Sequence, residues 1–131
     1  MTMQLKKLTP NIMVENVKRT STFYQDVLGF ELVATVPQEG DALDWVMLKR
    51  DNVEIMFQSR ASLSRDIPLF TDKAIDGSLT FHIEVADITT LYAALKEQVT
   101  LVQEMHTTFY DTQEFAILDC NGFVLAFAEP V

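Results

Sequence analysis

The residues of this chain that could do chemistry lie at alternate positions of two predicted strands. Residues two apart in a strand point to the same face. The first such set is Glu54, Met56 and Gln58, and the second is Thr80, His82 and Glu84. Two carboxylates and a histidine could bind zinc in principle, although no tight motif such as His-Glu-x-x-His accompanies them. Without a metal, His82 with Glu54 or Glu84 could act as a general base toward a bound carbonyl compound.

The same alternation predicts a wider binding surface. The opposite faces of these strands are apolar and are expected to pack on helices, which leaves the mixed faces to line the concave side of a sheet. The residues predicted to contact a ligand are Asn11, Met13, Trp45, Met47, Glu54, Met56, Gln58, Thr80, His82 and Glu84. Met47 and Met56 would equally suit core packing, and so would Trp45. No catalytic residue is assigned, because the sequence has no Gly-x-Ser-x-Gly elbow, Walker loop or Rossmann glycine pattern.

These residues would be positioned by a βαβββ module that occurs twice. Residues 8–17 and 79–88 match at an offset of 71, with Leu, Thr, Ile and Val recurring in register. A second match, at an offset of 70, relates residues 49–57 to 119–127. A fixed offset indicates a duplicated supersecondary unit. Equivalent positions of the two modules are therefore expected to meet at one shared site.

The local patterns divide the chain into one module at about 5–58, a connector at 59–77 and a second module at about 78–131. The first module is predicted to contain a helix capped by Asn16 and stopped at Gly29, with strands at 7–14, 30–36, 43–49 and 53–58. The second is predicted to contain a helix capped by Asp87, with strands at 79–85, 99–105, 115–118 and 123–128. Asn121-Gly122 would form the tip of the last hairpin. The connector is long, so it is expected to be a lid, a crossover or partly ordered.

Length, charge and cysteine content limit the classes of function. A chain of 131 residues with 48% apolar residues fits a single domain, 1–131. The net charge of −9 argues against nucleic acid as a partner. Solubility alone accounts for this charge, and the alternative is a mild preference for cationic ligands. The lone Cys120 excludes an intrachain disulfide. With no apolar signal core and no apolar run of about 18 residues, we expect a cytoplasmic protein without a membrane partner.

Three motifs carry a resemblance to a known family. They are residues 10–17, the run Phe23-Tyr24-Gln25-Asp26-Val27-Leu28-Gly29-Phe30, and the turn Asp119-Cys120-Asn121-Gly122. Together with the repeat they resemble the vicinal oxygen chelate superfamily, which includes glyoxalase I, extradiol dioxygenases and bleomycin-resistance proteins. The resemblance implies an α+β fold of two tandem βαβββ modules that form a curved mixed β-sheet with helices on the convex side. It also implies a homodimer.

The resemblance also bears on metal binding. Metal-dependent members of that superfamily use His or Gln from the first strand and Glu from the last strand of each module. The matching positions of this chain are Thr9, Met56, Thr80 and Ala126, none of which is a good ligand for a divalent metal. Glyoxalase-type isomerisation and dioxygenase chemistry need that metal. The resemblance is therefore closest to the metal-free bleomycin-resistance type, with no cofactor.

Three hypotheses of function follow. The first is a metal-free protein that binds a small molecule, such as a cationic or aromatic antibiotic-like compound, in the concave groove. The second is a lyase, isomerase or other enzyme on the same scaffold that uses His82 with Glu54 or Glu84, with or without a displaced divalent metal. The third is a protein that binds a protein partner through the sheet face or through residues 59–77.

Overall fold

The computed structural model of the chain describes residues 3–38 and 40–131. The strands are β1 (Asn11–Val14), β2 (Glu31–Pro37), β3 (Leu43–Arg50), β4 (Val53–Ser59), β5 (Thr80–Glu84), β6 (Thr100–Thr107), β7 (Thr112–Leu118) and β8 (Val124–Pro130). The helices are α1 (Val17–Asp26), α2 (Arg60–Asp66), a 3-10 helix (Pro68–Asp72) and α3 (Ile88–Leu95). The predicted α+β class and the tandem βαβββ order are confirmed.

The strands form two four-stranded mixed sheets, in the orders β1-β4-β3-β2 and β5-β8-β7-β6. In each sheet the first and last strands of the module pair in parallel, and the other pairs are antiparallel. The chain divides into two compact units, one from Met1–Ser21 and Phe30–Lys73 and the other from Thr22–Gly29 and Ala74–Val131. Each unit contains one of the sheets.

The first strand is shorter than the sequence predicts. The pattern predicts residues 7–14, whereas β1 begins at Asn11. Pro10 lacks a backbone N–H and cannot donate to a ladder, although its carbonyl accepts a hydrogen bond from the Met56 N–H at 2.9 Å. Proline therefore marks where pairing with β4 starts.

The core of the first unit lies on one face of its sheet. Val46 and Leu48 of β3 alternate with exposed or half-buried neighbours, and Ile55 and Phe57 of β4 flank the half-buried Met56. Each of these four side chains is at most 2% exposed. Their burial follows the two-residue period that identified the strands in the sequence.

The connector between the modules forms its own helical layer in the first unit. Ser59 ends β4 and also caps α2, where its hydroxyl accepts a hydrogen bond from the Ser62 N–H at 3.2 Å. The Arg60 guanidinium then donates to the carbonyls of Phe70, Thr71 and Lys73, at 3.4, 3.3 and 2.6 Å. Because one side chain bonds to three carbonyls around the 3-10 helix, α2 and that helix are braced together.

A buried carboxylate organises the last hairpin of the second unit. Asp119 is 6% exposed, and its Oδ1 accepts hydrogen bonds from the N–H groups of Asn121 and Phe123 at 2.8 and 2.9 Å. Its Oδ2 accepts the Tyr24 hydroxyl at 2.6 Å. Burial, and next the neighbouring Asp119 charge, raise the pKa of Tyr24 far above its ordinary value, so the phenol remains a donor. The Asn-Gly tip follows, with Gly122 at φ +82°.

The cap of α3 differs from the sequence prediction. Asp87 has a φ of +60°, outside the extended conformation from which an N-cap side chain reaches the first turn, and its carboxylate accepts the Thr90 hydroxyl instead. The N–H groups of Asp87 and Ile88 donate to Glu129 of β8, at 2.8 and 3.0 Å. The cap therefore comes from a neighbouring strand and places negative charge at the helix N-terminus.

Within the residues that the structure describes, no helix is both long enough and apolar enough to cross a membrane.

Replacing Tyr24 with phenylalanine should destabilise the fold. Tyr24→Phe leaves the buried Asp119 carboxylate without its side-chain donor, and we expect the free energy of unfolding to fall by about 1.5–3 kcal/mol. Urea unfolding measures this change. Tyr92→Phe is the matched control, since Tyr92 packs through its ring against Phe115 (centroids 5.0 Å apart) and the substitution keeps that ring. Equal effects of the two substitutions would contradict the role of Asp119.

Candidate functional site

The second face of the first sheet carries most of the predicted ligand-contacting residues. One row of register partners contains Asn11, Met56 and Met47, and the next contains Met13, Gln58, Trp45 and Val36. Register partners share a face. Met13 and Gln58 are buried, Trp45, Met47 and Met56 are half-buried, and Asn11 is exposed. The structure therefore places these residues on one face of one sheet.

A cavity of about 510 Å³ lies at the end of this face, where β4 ends and α2 begins. It is lined by Val36, Asp44, Trp45, Gln58, Ser62, Arg65 and Asp66. Trp45 and Gln58 are predicted ligand-contacting residues, and Val36 is the register partner of Trp45. The other lining residues come from the start of β3 and from α2 and were not predicted.

Gln58 joins three elements at the floor of the cavity. It is 5% exposed, and its Oε1 accepts a hydrogen bond from Asn11 Nδ2 at 2.7 Å. Its Nε2 donates to Ser62 Oγ and to Asp66 Oδ2, both at 2.9 Å. Residues four apart lie on the same side of a helix, so α2 presents Ser62 and Asp66 together to this amide. The buried polar group is satisfied, which fixes α2 over the end of β4.

Asp44 provides a second polar anchor. It is 8% exposed, and Arg65 Nη2 donates to its Oδ2 at 3.0 Å. The Ser59 hydroxyl donates to Oδ1 at 3.3 Å, and the Gln38 amide donates to the same oxygen. A buried carboxylate is costly unless it is paired and hydrogen-bonded, as it is here. Strand alternation places Asp44 opposite Trp45, so alternation alone does not find it. An acid directly before the apolar run 45–48 was the available signal.

Glu54, another predicted ligand-contacting residue, has a partner within the first unit. Lys7 Nζ lies 2.6 Å from Glu54 Oε2, and the two side chains are 57% and 12% exposed. The hydrogen bond from Lys7 holds the pKa of Glu54 below its ordinary value, against partial desolvation, and the charges of Lys7 and Lys49 act in the same direction. Glu54 is therefore an ionised partner of Lys7.

The remaining predicted residues, Thr80, His82 and Glu84, lie exposed on β5 in the second unit. His82 shares a register row with Ala126, Ala116 and Gln103, and Glu84 shares one with Ala128, Glu114 and His106. Each row brings together residues that are distant in the sequence.

Glu114 is the residue of this face that sequence reasoning missed. Its Oε2 accepts the hydroxyls of Thr112 and Tyr110 at 2.7 and 2.9 Å. The Thr112 bond lowers the pKa of Glu114 against desolvation, and Tyr110, His82 and His106 lower it further. His82 therefore lies in the field of a carboxylate on β7.

The residues at the metal-ligand positions that the resemblance implies do not fit a divalent metal. Thr9 and Met56 lie in the first unit and Thr80 and Ala126 in the second, and their hydroxyl, thioether and methyl groups are poor or absent donors. Asn11 and His82 are the register partners of Met56 and Ala126. Across residues 3–38 and 40–131, no three His, Cys, Asp or Glu residues are grouped so that they could hold a metal ion.

Comparison with known proteins identifies related sequences and folds. The family model described as the Glyoxalase/Bleomycin resistance protein/Dioxygenase superfamily matches residues 5–127. No curated protein sequence is significantly similar to the chain.

Several solved structures share the fold. TioX from Micromonospora sp. ML1 is 13% identical with a TM-score of 0.74, over 96% of this chain and 99% of TioX. UcmS2 is 20% identical with a TM-score of 0.74, over 96% of this chain and 98% of UcmS2. A glyoxalase/bleomycin resistance protein/dioxygenase from Nocardioides is 11% identical with a TM-score of 0.77, over 99% of this chain and 87% of that one. At these identities the likeness establishes the fold and leaves the ligand open.

Removing the Lys7 charge should change the titration of Glu54. In Lys7→Gln, we expect the pKa of Glu54 to rise toward its ordinary value, because its main hydrogen-bond donor and nearest positive charge are lost. The pair stabilises the protein above the unfolded-state pKa of Glu54, and this contribution is lost as the pH falls through the lower folded pKa. Between the unfolded-state and folded-state pKa values of Glu54, acid should therefore destabilise the variant less than it destabilises the unmodified protein.

Carboxyl-detected NMR titration measures the pKa of Glu54, and thermal unfolding between neutral and acid pH measures the linked stability. Lys6→Gln is the control, because it removes the same charge from the neighbouring exposed residue. An unchanged Glu54 pKa in Lys7→Gln would contradict the assigned pair.

Proposed function

The chain belongs to the glyoxalase/bleomycin resistance protein/dioxygenase superfamily, and on that premise we propose that it is a small-molecule-binding protein. Its ligand occupies the cavity of the first unit, and binding requires no metal. This superfamily fold supports several chemistries, so the argument depends on the site rather than on the fold.

The observation that carries the proposal is the combination of Trp45 with buried polar groups around one cavity. A volume of about 510 Å³ is the size of a small-molecule site, and this one is lined by two apolar side chains and five polar or charged ones. Trp45 is half-buried and supplies an aromatic face beside Val36. Gln58 is held by hydrogen bonds to β1 and α2, and Asp44 is held by one from α2, which supports a preformed polar wall.

The charges around the cavity indicate the class of ligand. Two carboxylates, Asp44 and Asp66, face one guanidinium, Arg65, in a chain whose net charge is −9. An aromatic compound that carries a positive charge would stack on Trp45 and be attracted by this wall. A cationic or aromatic antibiotic-like molecule fits that description.

Ligand binding should be visible through Trp45, because it is the only tryptophan of the chain. We expect a bleomycin-type glycopeptide, or a simpler aromatic cation such as benzamidine, to change its fluorescence saturably, with or without EDTA. Asp66→Asn should weaken binding of the cation by about fivefold, the size of one exposed charge interaction. Asp72→Asn is the matched control, since it removes the same charge from the following 3-10 helix, outside the cavity.

Two outcomes would count against this function. The first is fluorescence that no aromatic cation changes. The second is equal weakening by Asp66→Asn and Asp72→Asn, because general charge rather than the cavity would then explain binding.

We also propose that the protein forms a homodimer through the edge strand β2. Every residue of β2 is exposed, and Leu32, Val33 and Val36 keep 41%, 53% and 48% of their area exposed. An apolar edge strand offers unpaired backbone groups to another chain unless it is covered. Because Val36 lines the cavity, a second copy at this edge would complete its wall.

The assembly is tested by sedimentation. Val33→Lys should convert the dimer to a monomer, because it would bury a charge in the proposed interface. Val102→Lys on β6, an edge strand of the second sheet, is the control, since Val102 is similarly exposed at 47%. A monomeric unmodified protein, or dissociation by both substitutions alike, would overturn the use of β2.

A further inference from the structure

The Asp44–Arg65 ion pair joins a buried anion to an exposed cation. The Asp44 side chain is 11% exposed, whereas the Arg65 side chain is 65% exposed. Arg65 thus reaches into the cavity from the solvent side and neutralises a carboxylate that water reaches poorly. The two partners differ in the free-energy cost of losing the ion pair. Asp44 cannot remain charged and unpaired without a large cost, while Arg65 could return to water.

The helix that carries Arg65 contacts the sheet through polar side chains and packs through one buried apolar residue, Leu63. α2 has seven residues, of which only Ser62 and Leu63 are buried. Beyond it, Ile67 and Leu69 are 48% and 68% exposed, so these two apolar side chains add little buried area to the segment. Its contacts with the sheet include those from Arg65 to Asp44 and from Ser62 and Asp66 to Gln58, and both sheet residues line the cavity.

We propose that Asp44 is the cation subsite of the cavity and that Arg65 occupies this subsite when no ligand is bound. This inference rests on the proposed function. An incoming guanidinium, amidinium or primary ammonium takes the place of the Arg65 guanidinium on Asp44, and Arg65 moves into solvent. The exchange keeps the buried carboxylate paired throughout, so the cost of binding is the loss of the contact made by Arg65, whose side chain is largely exposed. Trp45, at the same cavity, receives the aromatic part of the ligand.

The consequence is that the cavity discriminates between ligands by their charge. A ligand whose cation lies beside an aromatic ring can displace Arg65, whereas a neutral ligand of the same shape leaves Arg65 on Asp44 and gains nothing from that carboxylate. Arg65 is thus a specificity-determining residue that acts by competition. Its removal should help cations and leave neutral ligands unaffected, which is opposite to the effect of removing a residue that contacts the ligand.

The test compares benzamidine with benzamide, which have nearly the same shape and differ in charge. Titrations follow Trp45 fluorescence in the unmodified protein and in Arg65→Ala. We expect the substitution to raise the affinity for benzamidine about fivefold or more and to leave that for benzamide within about twofold. Arg50→Ala is the charge-matched control, because Arg50 lies at the other end of β3. Arg65→Lys keeps an internal cation and should leave both affinities nearly unchanged.

Each other outcome separates the competing explanations. A lower benzamidine affinity in Arg65→Ala would mean that Arg65 contacts the ligand, and an equal rise for both probes would mean that the substitution only opens the cavity. A rise for benzamidine in both Arg65→Ala and Arg50→Ala would mean a general charge effect. Any of these results overturns the inference. The proposed function still stands in those cases, because the probes would bind at Trp45. If neither probe nor a bleomycin-type glycopeptide changes Trp45 fluorescence in any variant, the proposed function fails first.

Discussion

A carboxylate that is removed from water must be given hydrogen-bond donors or an opposite charge, and this constraint shapes both units of the protein. In the second unit, Asp119 is satisfied by two N–H groups of its own turn and by the Tyr24 hydroxyl, all of them held inside the fold. In the first unit, Asp44 is satisfied by side chains, one of which belongs to an exposed arginine. The first arrangement fixes a hairpin permanently. The second leaves one donor that can be exchanged.

The two units also show how a duplicated backbone acquires different surfaces. Register relates Gln58 and Trp45 of the first sheet to Ala128 and Glu114 of the second, and Asn11 and Met56 to His82 and Ala126. In the first sheet, the row that contains Gln58 and Trp45 brings an amide beside an indole and lies at the cavity. The equivalent row of the second unit has a methyl group beside a carboxylate. The shared framework therefore determines where side chains lie, and the chemistry depends on substitutions at a few equivalent positions.

The sequence predicts those parts of the structure whose causes are local. Alternation identifies the strands that contain Val46, Leu48, Ile55 and Phe57, because the buried face recurs every second residue. Asn16 caps α1 as its position suggests, since its side chain accepts the Arg19 N–H at 2.9 Å. Local patterns fail where a partner comes from far along the chain. Glu129, rather than Asp87, caps α3 from more than forty residues away. Arg65 and Asp66 likewise acquire their roles only when α2 folds over the end of β4.

The junction at Ser59 places a further condition on this sequence. Ser59 is both the last residue of β4 and the N-cap of α2, so no linker residue separates the sheet from the helix. An α-helix turns by about 100° per residue, so inserting or deleting one residue between Gln58 and Arg65 would rotate the later side chains away from the cavity. Length changes at this junction would therefore be selected against, whereas the stretch after Lys73 could vary in length without changing the position of Arg65 along α2. The site therefore depends on the number of residues between Gln58 and Arg65 as well as on the identity of the side chains of α2.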